Sequence, residues 1–203
     1  MPMTRLYLVR HGQVANHRPQ SYNGQRDVPL SDVGRLQMER LANWAATLEG
    51  PVVIYTSDLQ RAADGARLAA ARLGVDAVVT PLLREKHFGA WEGLTYDEAS
   101  RRDPDIWRQW LDDPPNARPP GGETYRDVEA RVMPLFERLL RDHRGQTVLI
   151  VAHGGVNRVI LCRALGLPLH RVFRIEQDYA ALNCLDYADG HLMVQWLNGM
   201  LPI

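Results

Sequence analysis

The stretch Arg5-Leu6-Tyr7-Leu8-Val9-Arg10-His11-Gly12 decides how the rest of the chain is read. Its first five residues form a short, largely apolar run, which then stops on a cation, an imidazole and a glycine. Val52-Val53-Ile54-Tyr55 and Val148-Leu149-Ile150-Val151 are runs of the same kind. Continuous β-rich runs of this length predict strands covered on both faces, as in a largely parallel sheet. The last of them continues as Ala152-His153-Gly154-Gly155, so two predicted strands each end in His-Gly. Ligands of open α/β sheets bind beyond the carboxyl ends of the strands. His11 and His153, far apart in sequence, are therefore expected to meet on one rim, where the glycines let the backbone turn sharply.

Helical patterns fill the gaps between these strands. Ser31 is a candidate N-cap, after which Val33, Leu41, Trp44, Ala45 and Leu48 can share one face until Gly50-Pro51. A second helix is predicted from near Ser57-Asp58 to about Leu73, before Gly74. A third starts near Glu123 and buries Tyr125, Val128, Val132, Leu135, Phe136 and Leu139, with a kink expected at Pro134. A fourth begins near Gly155 and ends near Gly166 and Pro168. Two more strand-like runs, at about 181–187 and 192–197, are split by Ala188-Asp189-Gly190, a hairpin signal. The pattern predicts a three-layer α/β/α sandwich with a mostly parallel central sheet and an antiparallel C-terminal edge strand. Residues 1–203 read as one domain. Residues 85–122, with Trp91, Trp107, Trp110 and five prolines, read either as a lid or insertion beside the site or as a long packed connection.

Lys and Arg together number 24, as do Asp and Glu. A chain without basic excess is a poor candidate for nucleic-acid binding. Cys162 and Cys184 have no metal-ligand spacing and read as buried free thiols of a reducing compartment. No apolar run approaches the roughly 18 residues that span a membrane, and no signal-peptide pattern is seen at the start, so a cytoplasmic location is expected. No GxGxxG follows the first strand, which argues against a dinucleotide.

Around the predicted rim stand Arg10, at the end of an apolar run where an unpaired charge is costly, and Arg61, one turn into the second helix. Guanidinium groups fit phosphate oxygens in bidentate fashion. His17, His87, His143, His170 and His191 lack the strand-end context and read as surface or local hydrogen-bonding residues, with His87 close enough to a candidate acid to stay open.

These residues resemble the signatures of a known family. Leu8-Val9-Arg10-His11-Gly12 resembles the hallmark of the histidine phosphatase superfamily, the phosphoglycerate mutase-like fold. The resemblance runs through most of the chain. It takes in residues 22–31, Thr56-Ser57-Asp58-Leu59-Gln60-Arg61-Ala62, Leu83-Arg84-Glu85 with Phe88-Gly89-Ala90-Trp91-Glu92-Gly93, Pro119-Pro120-Gly121-Gly122-Glu123-Thr124, and Val151-Ala152-His153-Gly154-Gly155. The resemblance implies that His11 is the nucleophile that becomes phosphohistidine. Arg10, Arg61 and His153 would hold the phosphoryl group, and Glu85 would protonate the leaving alcohol. Asn16, Asn23, Gly24 and Gly154 would line the substrate and phosphate site. Gln13-Val14 departs from the Glu-Thr of many members.

Such chemistry makes physical sense. A covalent phosphohistidine splits one slow hydrolysis into two transfers. The nearby arginines help keep His11 neutral, and a backbone carbonyl is expected to fix its second ring nitrogen. The same arginines, with His153 if protonated, would stabilise charge on the equatorial oxygens without metal or cofactor. Phosphate arriving beside Glu85 favours its protonated, donating form; the competing role for Glu85 is a salt bridge to Arg84 or another arginine. The implied function is a metal-independent phosphomonoesterase of small phosphorylated metabolites. A cofactor-dependent phosphoglycerate mutase and a non-catalytic phospho-ligand binder are the alternatives. Residues 174–183 resemble the α-ribazole phosphatase branch, while broad-specificity and phosphoserine phosphatases of the superfamily look much alike. The edge strand leaves pairing with a second copy, a homodimer, open.

Overall fold

The computed structural model describes residues 2–200. Six strands form one sheet: β1 (Thr4–Arg10), β2 (Val52–Thr56), β3 (Ala77–Val79), β4 (Thr147–Ala152), β5 (Leu182–Ala188) and β6 (His191–Gly199). The helices are α1 (Asp32–Ala45), α2 (Gln60–Leu73), α3 (Tyr96–Arg102), α4 (Pro104–Asp112), α5 (Tyr125–Asp142) and α6 (Gly154–Ala164). The strand order is β3-β2-β4-β1-β5-β6. Strands β1 to β4 pair in parallel, and the β5–β6 hairpin is added antiparallel beside β1.

Alternation along β1 explains the layers. Leu6 and Leu8 enter one apolar cluster with Val132, Leu135 and Phe136 of α5 and Val156 and Ile160 of α6. Tyr7 and Val9 enter another with Met38 and Leu41 of α1 and Ala62, Ala66 and Ala69 of α2. A strand with a helix layer on each side has no solvent face, so both sets of residues are apolar. The expected α/β/α arrangement and antiparallel C-terminal edge are therefore present. The hairpin turn is Asp189-Gly190, both at positive φ (53° and 84°), as a two-residue loop between twisted strands requires.

Several expectations need correction. Val33 is 51% exposed; α1 instead buries Gly34, Met38, Leu41, Ala42 and Ala45. The backbone of Gly34 lies against that of Gln13 and Gly12, which rotates Val33 out to solvent. The helix also ends at Ala45, ahead of Gly50-Pro51. Helix α2 begins at Gln60 rather than near Ser57, because the Gln60 amide is capped from a distance by Asp27 (2.7 Å). Helix α5 begins after Thr124, whose hydroxyl accepts from Asp127 N (3.1 Å), and so excludes Glu123. It runs through Pro134, which faces solvent. Strand β3, only three residues long, carries exposed Val78 and Val79 and left no pattern in the sequence to read. Residues 85–122, which the sequence leaves open between a lid and a packed connection, hold α3 and α4, with Trp91 and Trp110 buried in the main apolar cluster.

Cys162 and Cys184 are buried and unbridged. No helix among the described residues is long and apolar enough to cross a membrane.

The contact between the first β–α turn and α1 is testable. A Cβ on Gly34 would strike the Gln13 carbonyl, a backbone atom that cannot swing aside. Gly34→Ala should lower stability by about 1–3 kcal/mol in urea unfolding despite alanine's better helix propensity. Val33→Ala, on the exposed side, should change it by less than about 0.5 kcal/mol.

Candidate active site

The parallel register pairs Arg10 with Ala152, so the residues that follow, His11 and His153, stand side by side. His11 N donates to Ala152 O (3.0 Å), and the two imidazole centroids are 5.1 Å apart. His11 Nδ1 lies 2.7 Å from Gly12 O. A carbonyl can only accept, so Nδ1 carries the proton and Nε2 keeps its lone pair. That lone pair faces Arg61 Nε, which donates to it at 3.1 Å. Burial, and then the charges of Arg61 and Arg10, hold His11 well below the usual histidine pKa, so the ring is neutral.

His153 is fully buried behind His11 and is also held well below the ordinary value, first by burial and then by Arg61. Its Nε2 pairs with Ser57 Oγ (2.7 Å), at the end of β2. A protonated His153 is thus not what the structure holds; a neutral ring can offer an N–H but no charge.

Both arginines are anchored through carbonyls. Arg61, 1% exposed, donates to Arg26 O (2.8 Å) and Gly24 O (2.6 Å). Arg10 donates to Gln177 O (2.6 Å) and lies 4.0 Å over the Tyr179 ring. Carbonyls and a ring face aim the guanidinium groups without neutralising them. Two buried polar atoms here, Arg10 Nε and His153 Nδ1, have no hydrogen-bond partner among the described residues. Arg10 Nε can only donate, and an unsatisfied buried donor on a residue of the cleft wall points to a ligand that accepts.

Glu85 reaches the site from the start of the 85–122 segment. Its carboxylate accepts from Gly155 N (3.1 Å to each oxygen) and Lys86 N (2.8 Å). It is not spent on Arg84, which pairs with Asp58. The acid is therefore held by backbone amides at the first turn of α6.

A cleft of about 190 Å³ opens over these groups, with Arg10, His11, Asn23, Gly24, Arg61, Glu85 and Gly154 on its wall. Asn16 and His153 are both absent from that wall: Asn16 is exposed and donates to Asn23 Oδ1 (2.9 Å), and His153 is fully buried. His87 turns to Gly121 O (3.1 Å) and lies away from the cleft. Gln13 is occupied with the start of α1, its Oε1 accepting from Ser31 Oγ (2.9 Å), and Val14 bridges to Leu30. Of the three tryptophans between 85 and 122, Trp110 alone reaches the wall, beside Phe88, Tyr96 and Tyr125.

Some wall residues escaped the sequence reading. Gly155, not Gly154, is the glycine that Glu85 requires, since a Cβ there would collide with Glu85 Oε1, whereas one on Gly154 would meet Arg10 at an ordinary 3.7 Å. Arg158, Gln177 and Tyr179 also line the cleft. Arg158 follows Gly154 by four residues, one helical turn, and that spacing was a signal available in the sequence. Gln177 is fully buried in an amide network with Asn157 and Asn183, and Asn183 Nδ2 donates to Leu8 O (2.9 Å). Residues 174–183 thus form a brace behind Arg10. Ala180 completes it at φ 59°, donating to His11 O (3.1 Å). Among the described residues no group of three or more His, Cys, Asp or Glu is arranged to hold a metal ion.

This fold and constellation identify the class. The sequence model of the histidine phosphatase superfamily (branch 1) matches residues 6–199, and the chain belongs to that family. It is 40% identical over 196 residues to a bifunctional protein of Mycobacterium tuberculosis, covering 96% of this chain and 54% of that longer protein. The chain therefore spans about half the length of such relatives. It is 32% identical to a metal-independent phosphoserine phosphatase of Arabidopsis thaliana, over 79% of this chain and 68% of the relative. The native structure of a mycobacterial glucosyl-3-phosphoglycerate phosphatase superposes with a TM-score of 0.87 at 31% identity, covering 97% of this chain and 99% of that one.

A further buried cation lies under the cleft wall. Lys86 is fully buried, with Nζ donating to Glu123 O and lying 4.7 Å from each of the Phe88 and Trp110 ring centroids. Burial pulls its pKa down to about 7, opposed by Glu123 and Glu85. Between about pH 7 and the ordinary lysine value near 10.5 the unfolded chain keeps a proton that the folded chain has released, so this group makes stability rise with pH across that window. In Lys86→Met that contribution is gone. Urea unfolding at pH 6, 8 and 10 should show the stability difference moving in favour of wild type as pH rises.

Proposed function

We propose that this chain is a metal-independent phosphomonoesterase of small phosphorylated metabolites that carries the phosphoryl group on His11. The observation that carries the reading is a neutral His11 on the wall of a cleft shared with Arg10 and Arg61, its Nε2 unprotonated and 3.1 Å from Arg61 Nε, with the partnerless Arg10 Nε on the same wall. The family and the phosphatases it resembles support the same reading.

In the first step Nε2 attacks phosphorus in line, the N–P bond forms and the P–O ester bond breaks. Glu85 gives its proton to the departing alkoxide. Arg10 and Arg61 balance charge on the equatorial oxygens, and His153 adds an N–H donor. In the second step Glu85 takes a proton from water, water oxygen bonds to phosphorus, and His11 leaves with its electron pair restored. Neutral His11 matters because a protonated ring has no lone pair at Nε2 with which to attack.

The small cleft suits short phosphate esters, since pockets for drug-sized ligands run to roughly 300–1,000 Å³. The buried free thiols fit a reducing compartment, in keeping with a cytoplasmic enzyme. Strand β6, with Met193 and Trp196 exposed on the sheet edge, is the surface that would pair two copies. Residues 85–122 serve as a lid in the sense of a packed wall, carrying Phe88, Tyr96 and Trp110 over the phosphate.

Phosphate release from nitrophenyl phosphate should persist in EDTA and fall to background in His11→Ala. Loss of release in EDTA, or survival in His11→Ala, overturns the proposal. Isomerisation of 3-phosphoglycerate with a bisphosphate primer would favour the mutase, and tight phosphate binding without turnover the binding module.

Glu85→Gln should slow an alkyl phosphate far more than nitrophenyl phosphate, whose leaving group needs no proton. Gly155→Ala should imitate that bias by displacing the carboxylate, while Gly154→Ala stays near wild type. Equal slowing of both substrates by Glu85→Gln would remove its role as acid.

A further inference from the structure

His11 can attack only while its proton sits on Nδ1, and Gly12 O, 2.7 Å from that nitrogen, is what draws it there. That carbonyl is one half of the peptide group joining Gly12 to Gln13. The other half is the Gln13 N–H, which donates to the side-chain Oε1 of Gln37 on α1 (2.8 Å). A trans peptide points its C=O and its N–H in opposite directions within one plane. Gln37 Oε1, the Gln13 N–H, the Gly12 carbonyl and the His11 Nδ1–H therefore form one chain of hydrogen bonds. Bonds in series polarise one another, which makes the carbonyl a better acceptor.

The fold brings α1 close enough for this contact. Gly34 and Gln37, three residues apart, share a face of the helix. A Cβ on Gly34 would strike the Gln13 carbonyl, and one on Gly12 would strike Gly34 O, so the helix rests directly on the turn that follows β1. The Ser31 amide donates to Gln13 O (2.9 Å), and the Ser31 hydroxyl donates to Gln13 Oε1 (2.9 Å). Those two bonds hold Gln13 at its carbonyl and its side chain. The bond from Gln37 holds its amide, and with it the plane of the Gly12 carbonyl. Gly12 has no side chain to resist a tilt of that plane. Gln37 itself is half-buried and lies outside the cleft wall.

Arg61 Nε favours the same tautomer by donating to His11 Nε2 (3.1 Å), but that bond must break before Nε2 can attack. From that moment the Gly12 side of the ring alone selects where the proton sits.

We infer that Gln37 is a positioning residue for the nucleophile: through the Gly12–Gln13 peptide it holds the His11 proton on Nδ1 and keeps Nε2 free to attack. Its consequence for catalysis rests on the phosphatase reading above; the placing of the proton does not.

The first test is spectroscopic and needs no turnover. In protein carrying isotopically labelled histidine, the His11 Nδ1–H resonance is identified by its loss in His11→Asn. Gln37→Met keeps the length of the side chain and removes the acceptor. The resonance should then move upfield and exchange with water faster. Gln37→Asn, whose amide is too short to reach Gln13 N, should do the same. Gln37→Glu, whose carboxylate accepts from that N–H, should return the resonance to the wild-type position or beyond. An unchanged resonance in Gln37→Met and Gln37→Asn overturns the inference, as does failure of Gln37→Glu to restore it.

Kinetics test the consequence. The parameter kcat/KM reports the step up to attack by His11. Gln37→Met should lower it roughly 3- to 10-fold, the worth of one hydrogen bond, equally for nitrophenyl phosphate and an alkyl phosphate. Inhibition by inorganic phosphate should change less than about 2-fold, since Arg10 and Arg61 are untouched. A loss biased toward the alkyl ester would place Gln37 with the acid, and weakened phosphate inhibition would place it with the phosphate pocket; either overturns the inference. If wild type hydrolyses neither ester, the phosphatase reading fails, and the resonance alone supports or overturns the role of Gln37.

Discussion

Two guanidinium groups are held against a neutral imidazole in a largely dry place, and the rest of the site answers that constraint. Arg10 and Arg61 repel each other and together disfavour a third positive charge on His11. Burial alone would make such charges intolerable. Apart from the partnerless Arg10 Nε, they are anchored by carbonyls of Gly24, Arg26 and Gln177 and by the face of Tyr179, partners that leave the positive potential intact. An anion arriving there gains the full interaction, since the donors are already aimed and little reorganisation remains.

The backbone does much of the aiming. Gly12 O fixes the tautomer of His11, and the amides of Lys86 and Gly155 hold Glu85. Ala180 in the left-handed region clamps the carbonyl of His11 itself. Backbone groups vary little in position once the sheet and helix ends are in place, so the geometry inherits the rigidity of the core. The amide network of Asn157, Gln177 and Asn183 extends this rigidity from β1 across β5 to the carbonyl that holds Arg10.

The segment between Glu85 and Thr124 has a different task. It covers one side of the cleft with Phe88, Tyr96 and Trp110, and its inner residues merge with the main core. A wall welded to the core by Trp91 and Trp110 is a fixed surface. Lys86 beneath it, among aromatic rings, is a buried amine that costs stability an apolar side chain would not.

The amino-acid sequence by itself determined the layers, because β1 and β4 read as continuous apolar runs and α5 carries its buried residues at helical spacing. It also determined that His11 and His153 share a rim, because parallel strands end on the same side. Arg10, Arg61 and Glu85 were legible as motif residues at strand and helix ends, where local pattern and chemistry coincide. Only the tertiary structure decided what those residues touch. Ser57 against His153, Gln177 O against Arg10, Gly155 N against Glu85 and Arg158 beside Arg10 all join segments distant along the chain, apart from Arg158's own helix. The same holds for the rotation that exposes Val33 and for Asn16 turning to Asn23. Periodicity and capping act over a few residues, whereas the orientation of a side chain in a cleft depends on which acceptors the packed fold brings within 3 Å of it.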